Sequence, residues 1–288
     1  MNGANSPKVD AFFKALTTAR HARLLLDYDG TLAPFVEERE LAHPWPGVAE
    51  RIDAMLADHE GHDWRSAGGG SDELIIVTGR PARDVPALLG TSRRPSIWGS
   101  HGRELWRQSG SYEMVPISGA NARGLKAAAR WLHKRTRPSQ VEEKPAGLAV
   151  HWRGLDRAEA AALEADARST WAPLAAEHAL ELHAFDGGLE LRCPGRSKAH
   201  ALHAVLDEIP RQRAQAGAHL ALAYLGDDRT DEDAFGALRD ARRSDEAGSA
   251  SSRHLLSLLV RAEPRESHAD ERITPPQDLV YFLDRWRA

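Results

Sequence analysis

The sequence predicts an α/β protein: a doubly wound, mostly parallel sheet carrying an inserted α+β unit. Short apolar runs alternate with helical patterns along most of the chain, the arrangement of α/β folds. Three of those runs, Leu24–Leu26, Leu74–Val77 and Leu220–Leu225, are apolar without alternation, as strands covered on both faces are. From about 105 to 192 the texture changes to helix-strand-strand twice over. These changes divide the 288 residues into a discontinuous body, 1–105 and 193–288, and an insert, 106–192.

In chain order, a helix is expected over 8–20, then the strand Leu24–Leu26, a helix near 47–59 and the strand Leu74–Val77. The polar, Gly-rich stretch 59–73 between the last two reads as a surface loop. Residues 81–90 read as a helix opened by Pro81, and Ser96–Trp98 as a strand. In the insert, Tyr112–Ile117 reads as a strand. Helix 120–135 carries Leu125, Ala128, Ala129 and Leu132 on one face. Extended pieces at 139–144 and 147–153 precede a helix over 157–176, and two more at 179–185 and 188–192 are split by the turn Asp186-Gly187-Gly188. The body resumes with helix 198–209, the strand Leu220–Leu225, helix 231–239, a polar loop over 240–253, the strand Leu255–Val260 and a last helix over 277–286.

Composition excludes several classes. An apolar content of 42% supports a packed core, and no window reaches the roughly 18 apolar residues of a membrane span. A net charge of -4 with mixed signs lacks the basic footprint of nucleic-acid binders. The single cysteine, Cys193, cannot form an internal disulfide, and Met1–Leu16 has no basic start followed by an apolar run. A cytoplasmic monomer acting on a small molecule is the expectation, with no nucleic acid or membrane as partner.

The three apolar runs end in chemistry. The first leads into Asp27-Tyr28-Asp29-Gly30-Thr31, the second into Thr78-Gly79-Arg80, and the third into Gly226-Asp227-Asp228-Arg229-Thr230-Asp231-Glu232. Sites in open parallel sheets lie beyond the carboxyl ends of the strands, so these clusters are expected to converge. Two carboxylates 4 Å apart repel by about 4 kcal/mol at an effective dielectric of 20, so the group must protonate or bind a cation. An all-oxygen set of carboxylates and water suits Mg²⁺. The Thr78 hydroxyl, amides near Gly30 and Gly79, and a lysine suit phosphate oxygens. Lys198 fills that role at the start of a helix, where the macrodipole disfavours a cation unless an anion docks there too. Each piece has a plainer reading: Asp29-Gly30 as a turn, Thr230 with Asp233 as a helix cap, Lys198 as a solvated side chain. Their joint occurrence, in this order, argues for the site.

These residues resemble the haloacid dehalogenase superfamily, and within it the trehalose-6-phosphate phosphatase family. The resemblance spans about 20–286. It rests on Leu26–Leu32, Val77–Arg80, Gly99-Ser100-His101-Gly102-Arg103-Glu104, Glu190-Leu191-Arg192 leading to Lys198, and Gly226–Glu232 followed by Phe235. It implies a Rossmann-like body with a cap domain, and Mg²⁺-dependent hydrolysis of trehalose 6-phosphate to trehalose and phosphate, the last step of trehalose biosynthesis. By the same resemblance Asp27 is the nucleophile and Asp29 the acid and base. Asp27, Asp29 (through its carbonyl) and Asp227 hold the metal. Thr78 and Lys198 bind the phosphoryl group, and Asp228 and Asp231 orient water or Lys198. Thr31, Gly79, Arg80, Arg103, Lys144 and Glu190 are the expected substrate contacts. The chain departs from the family pattern in longer stretches at 60–72 and 240–254, in Ala199 after Lys198, in Cys193 before Pro194, and in Glu143-Lys144-Pro145. None of these touches the catalytic set.

In the insert, Leu148, Val150 and Trp152 alternate with Ala149, His151 and Arg153, and Leu189 and Leu191 with Glu190 and Arg192. One face is therefore suited to pack on helices and the other to present charged hydrogen-bonding groups, including Glu142 and Lys144, to sugar hydroxyls. The alternatives are a sibling phosphatase for sucrose 6-phosphate or mannosyl-3-phosphoglycerate, a receiver-type domain, or an inactive regulatory relative. A receiver lacks the Asp27-x-Asp29 pair and the insert, and an inactive relative would have lost Asp29 or Lys198.

Overall fold

The computed structural model describes residues 3–61, 71–185, 187–209, 219–247 and 253–287. The chain separates into two compact units, one of Met1–Phe35, Glu40–Tyr112 and Ser197–Ala288, the other of Val36–Arg39 and Glu113–Arg196.

The first unit is built on an eight-stranded sheet of order β12-β11-β10-β1-β2-β3-β4-β5. Its centre is β1 (His21–Leu26), parallel on one side to β2 (Ser71–Val77) and on the other to β10 (Leu220–Gly226). β11 (Arg253–Val260), β12 (Glu271–Ile273) and β3 (Ser96–Gly99) extend the parallel part, and β4 (Glu104–Trp106) runs antiparallel to β3. β5 (Tyr112–Met114) closes the far edge, at the point where the chain leaves this unit. Leu24, Leu25 and Leu26 are fully buried, as expected of a strand covered on both faces. The helices are α1 (Pro7–Leu16), α2 (Val48–Gly61), α3 (Val85–Leu89), α6 (Lys198–Glu208), α7 (Glu232–Ala247) and α8 (Gln277–Arg287). Ser6 starts α1 by accepting the Val9 N–H at 3.3 Å, with Pro7 in the first turn. On one sheet face Leu25, Ile75, Leu222 and Tyr224 pack with Leu202, Val205 and Phe235 of α6 and α7.

Register positions the site. Leu26 pairs with Ile76 on one side and Leu225 on the other, so all three strands run out at one edge of the sheet. The chain turns to opposite sides of β1 to reach β2 and β10, which makes this edge the switch point where open α/β sheets bind ligands.

The second unit is a four-stranded antiparallel sheet, β6-β7-β9-β8, with two helices. Its strands are β6 (Val141–Lys144), β7 (Gly147–His151), β8 (Glu181–Phe185) and β9 (Gly188–Arg192), and its helices α4 (Gly119–Leu132) and α5 (Arg157–His178). Leu148 opposes Leu191 and Val150 opposes Leu189, and these pack on Ala128, Leu132, Ala167 and Trp171. Cys193 is buried in this core. On the opposite face Ala149 lies between Glu142 and Glu190.

Several elements differ from expectation. Residues 81–90 form a 3-10 turn, Ala82–Asp84, and the single helical turn α3, ended by Gly90 at φ 69°. The strand expected over Tyr112–Ile117 stops at Met114. The part of the expected polar loop at 240–247 is helix, because α7 continues to Ala247. β4 and β12, of three residues each, have no sequence pattern of their own. The Gly-rich stretch at 62–70, Asp186 of the expected turn and residues 248–252 lie outside the described residues. Among the described residues, no helix is long and apolar enough to cross a membrane.

Candidate active site

The strand ends deliver Asp27, Thr78 and Asp227 to one place, and α6 and the β10–α7 loop complete it. Lys198 is the first residue of α6, and it is buried rather than solvated. Its ammonium donates to Asp27 Oδ1 at 2.7 Å and to Asp231 Oδ1 at 2.8 Å. Those carboxylates are the anions that make a cation tolerable at a helix N-terminus. Burial alone would lower the Lys198 pKa, but Asp231 and Asp27 hold it well above the ordinary value.

Asp231 spends its carboxylate on positioning. Oδ1 accepts from Lys198 and from the Tyr224 hydroxyl at 2.6 Å, and Oδ2 accepts the N–H groups of Asp227 and Asp228, both at 3.1 Å. Thr230 turns back to Asp228, giving both its N–H and its hydroxyl to Oδ1, instead of capping α7 with Asp233. Burial pushes the Asp228 carboxyl up, but the Lys198 charge and the Thr230 hydrogen bonds prevail and hold it near 2.

Asp27 and Asp227 are the crowded carboxylates. Burial raises Asp27 to about 6, with Lys198 opposing and Asp228 and Asp29 adding. Burial and the neighbouring Asp27 push Asp227 well above the ordinary range. Oxygens of Asp27, Asp227 and Asp231 all lie within 4.8 Å of one another. Asp227 Oδ1 is buried and accepts no hydrogen bond from the described residues. An all-carboxylate cluster with one uncommitted oxygen fits a small hard divalent cation. Each Asp231 oxygen already accepts two hydrogen bonds, whereas each Asp27 oxygen accepts one, so Asp27 and Asp227 are the side chains with lone pairs left to hold it. Gly30 makes room for this arrangement: at φ 82°, a Cβ there would fall inside the Asp227 carboxylate.

Asp29 faces a different partner. The Arg80 guanidinium forks onto it, Nε to Oδ2 at 2.7 Å and Nη2 to Oδ1 at 2.6 Å, and lies 5.6 Å from the Tyr28 ring centroid. Thr31 is fully buried, and its hydroxyl donates to Asp27 Oδ2 at 3.3 Å, so it helps to hold the carboxylate. The Thr78 Oγ1 accepts the Arg80 N–H at 3.1 Å, which leaves its own proton to donate elsewhere. Gly79 lies against the His101 imidazole. Arg103 is buried in the turn after β3, its N–H on the Gly99 carbonyl.

Lys144 and Glu190 belong to the second unit, where they pair at 2.9 Å. Glu142 joins them, 3.8 Å from Lys144, 3.1 Å from His151 and 2.6 Å from Arg39 of the short segment Val36–Arg39. Burial pushes Glu142 up, but Lys144, His151 and Arg39 together hold it near 2. Sequence reasoning missed the contributions of Arg39 and Tyr224. A tyrosine in a strand otherwise lacking polar side chains is the available signal for Tyr224, since a buried phenol needs a partner. Arg39 has no such signal, because its partner is over a hundred residues away.

Known proteins bear on this geometry. A family model described as trehalose-phosphatase matches residues 25–256. The trehalose-phosphate phosphatase of Mycobacterium leprae (strain TN) is 32% identical over 229 residues, 77% of this chain and 49% of the relative. That of Mycobacterium tuberculosis (strain ATCC 25618 / H37Rv) is 32% identical over 223 residues, 75% of this chain and 51% of the relative. The chain therefore spans about half the length of these curated relatives. Among solved structures, the C-terminal domain of C. albicans trehalose-6-phosphate phosphatase gives a TM-score of 0.77 at 16% identity, covering 98% of this chain and 96% of that one. Aspergillus fumigatus trehalose-6-phosphate phosphatase gives 0.61 at 24%, covering 98% and 97%. A Bacteroides thetaiotaomicron phosphatase of the haloalkanoate (HAD) superfamily gives 0.54 at 16%, covering 92% and 95%. At these identities the structural likeness is one of fold. The chain belongs to the trehalose-phosphatase family.

Proposed function

We propose that this chain is a Mg²⁺-dependent phosphatase that hydrolyses trehalose 6-phosphate to trehalose and phosphate through an aspartyl-phosphate on Asp27. The observation that carries this reading is the Asp27 carboxylate, gripped by Lys198 beside an uncommitted Asp227 oxygen. Asp27 and Asp227, with the Asp29 carbonyl, would hold Mg²⁺, which when bound neutralises nucleophile and phosphoryl group. An Asp27 oxygen attacks phosphorus and the bond from phosphorus to the sugar oxygen breaks, with Asp29, which must leave the Arg80 fork to carry a proton, giving that oxygen its proton. Asp29 then takes a proton from water, whose oxygen attacks phosphorus and frees the Asp27 carboxylate. Lys198 and Thr78 donate to the phosphoryl oxygens throughout. Asp231 and Asp228 hold Lys198 and the loop in place. In this reading the second unit is a cap, and its Lys144–Glu190 pair recognises sugar hydroxyls.

The test is phosphate release over a panel of sugar phosphates, with Mg²⁺ or with chelator. Release from trehalose 6-phosphate only with Mg²⁺ is expected; release of phosphate under chelation would contradict the metal. In the absence of substrate, Mg²⁺ is expected to raise the Tm of the wild-type protein and not of Asp227→Asn, since a ligand stabilises the state that binds it. Equal Tm rises in both would remove Asp227 from the metal set. Glu190→Gln is expected to lower kcat/KM for trehalose 6-phosphate by about tenfold or more, the worth of one charged hydrogen bond, while a small aryl phosphate is turned over as before. Equal losses on both substrates would exclude sugar recognition by Glu190.

A further inference from the structure

One sequence motif, Gly99–Glu104, is left without a task by the chemistry above. In the structure its last residue, Glu104, is a buried carboxylate on which three donors converge. Oε2 accepts the Ser100 hydroxyl at 2.5 Å and the Ala82 N–H at 3.2 Å, and Oε1 accepts the Tyr112 hydroxyl at 2.8 Å. These donors come from three separate stretches of chain: the segment after Arg80, the turn after β3, and the last residue of the first unit before the chain enters the second.

The same two inner segments interlock through the backbone. Ser100 N–H donates to the Arg80 carbonyl at 2.8 Å, His101 N–H to the Thr78 carbonyl at 3.0 Å, and Thr78 N–H to the Trp98 carbonyl at 2.8 Å. Gly99 sits so close to Ala82 that a Cβ there would lie 2.5 Å from the Ala82 nitrogen. Ser100 and His101 both take positive φ, 48° and 54°, a conformation that non-glycine residues hold only when their surroundings enforce it. The Ser100 hydroxyl bond to Glu104 is such an enforcement.

We infer that Glu104 is a positioning residue for the phosphatase reaction: through Ser100 and Ala82 it fixes the Thr78-Gly79-Arg80 turn, and so the Thr78 hydroxyl and the Arg80 fork on Asp29. The inference rests on the phosphatase reading above. Tyr112 gives Glu104 a second reach, tying this turn to the point where the chain passes into the second unit. A carboxylate suits the task because its two oxygens accept from donors on different segments at once.

Three variants test this. Ser100→Gly removes one donor and at the same time eases the positive φ, so its Tm is expected to stay near that of wild type. With the turn loosened, its KM for a small aryl phosphate and its inhibition constant for inorganic phosphate are expected to rise, and its kcat to fall about tenfold, as small misplacements of binding groups do. Glu104→Ala is expected to show the same losses with a lowered Tm. Glu104→Gln is expected to recover most activity, since its oxygen serves Ser100 and Ala82 while its amide donates to the Tyr112 oxygen. A merely structural Glu104 would lower Tm in step with activity and leave phosphate inhibition unmoved. Wild-type kcat, KM and phosphate inhibition in a folded Ser100→Gly protein would overturn the inference and leave the phosphatase reading standing. A wild-type chain that releases no phosphate from any ester would overturn both.

Discussion

Asp27→Asn is expected to abolish phosphate release, with a loss larger than any other single substitution at the site, while the protein stays folded. The amide keeps the shape of the carboxylate, its acceptor oxygen for Lys198 and its place beside Thr31. It loses the nucleophile, because an amide oxygen does not form the acyl phosphate on which the two-step route depends. Stability is expected to move the other way. The folded state holds the Asp27 carboxyl at about 6, above the 3.8 of an ordinary aspartate, so between those values it keeps a proton that the unfolded chain gives up. Stability of the metal-free protein therefore falls as pH rises through that window. The substitution removes this cost. In chelator, Asp27→Asn is expected to melt at or above the wild-type Tm at neutral pH, with a flatter Tm between pH 4 and 6. Retained activity, or a collapse of Tm in chelator, would remove Asp27 from the centre of the cluster.

The parts of this molecule legible in the sequence are those whose physical cause is local. A stretch of strand covered by helices on both faces favours apolar residues at successive positions, so Leu24–Leu26 of β1, Leu74–Val77 of β2 and Leu220–Leu225 of β10 stand out as runs without alternation. The polar residues that follow them sit at one sheet edge because parallel strands in register all run out on the same side. Alternation in β7 and β9 likewise separates Leu148, Val150, Leu189 and Leu191 from Ala149 and Glu190. The second half of α7 has no such signal. From Asp240 onward it carries almost no apolar residue, and it is held by ion pairs to residues outside the helix: Arg242 to Asp270, just before β12, and Asp245 to Arg253, the first residue of β11, at 2.5 Å. The partner of a buried polar group is likewise a tertiary choice. The motif containing Glu104 is visible in the sequence, but that its carboxylate gathers Ser100, Ala82 and Tyr112 is not. The same holds for the Arg80 fork on Asp29, which joins two motifs 51 residues apart.

Lys198→Met is expected to cost both activity and stability, and only the stability is expected to be recoverable. Lys198 is buried between Asp27 and Asp231, with Asp228 also close enough to contribute to its charge state. Removing one partner from a buried ionic cluster leaves charge uncompensated, at a cost of about 3–5 kcal/mol. Methionine fills the volume of the lysine stem, so the loss isolates the charge. Adding Asp231→Asn to Lys198→Met removes one of the stranded carboxylates. The asparagine oxygen keeps the N–H groups of Asp227 and Asp228 that now bond Oδ2, and its amide donates to the Tyr224 oxygen. The double variant is expected to recover most of the lost Tm in chelator, since replacing a buried ionic set by neutral groups is often close to neutral. Its activity is expected to stay down by about 10²–10³, the scale of one electrostatic donor to a transition state, because the ammonium that donates to the phosphoryl oxygens is gone. Thermal melts in chelator and phosphate release with Mg²⁺ separate the two effects. A Lys198→Met protein with wild-type Tm would mean that the cluster does not need its cation, and a double variant with wild-type turnover would move the phosphate contact away from α6.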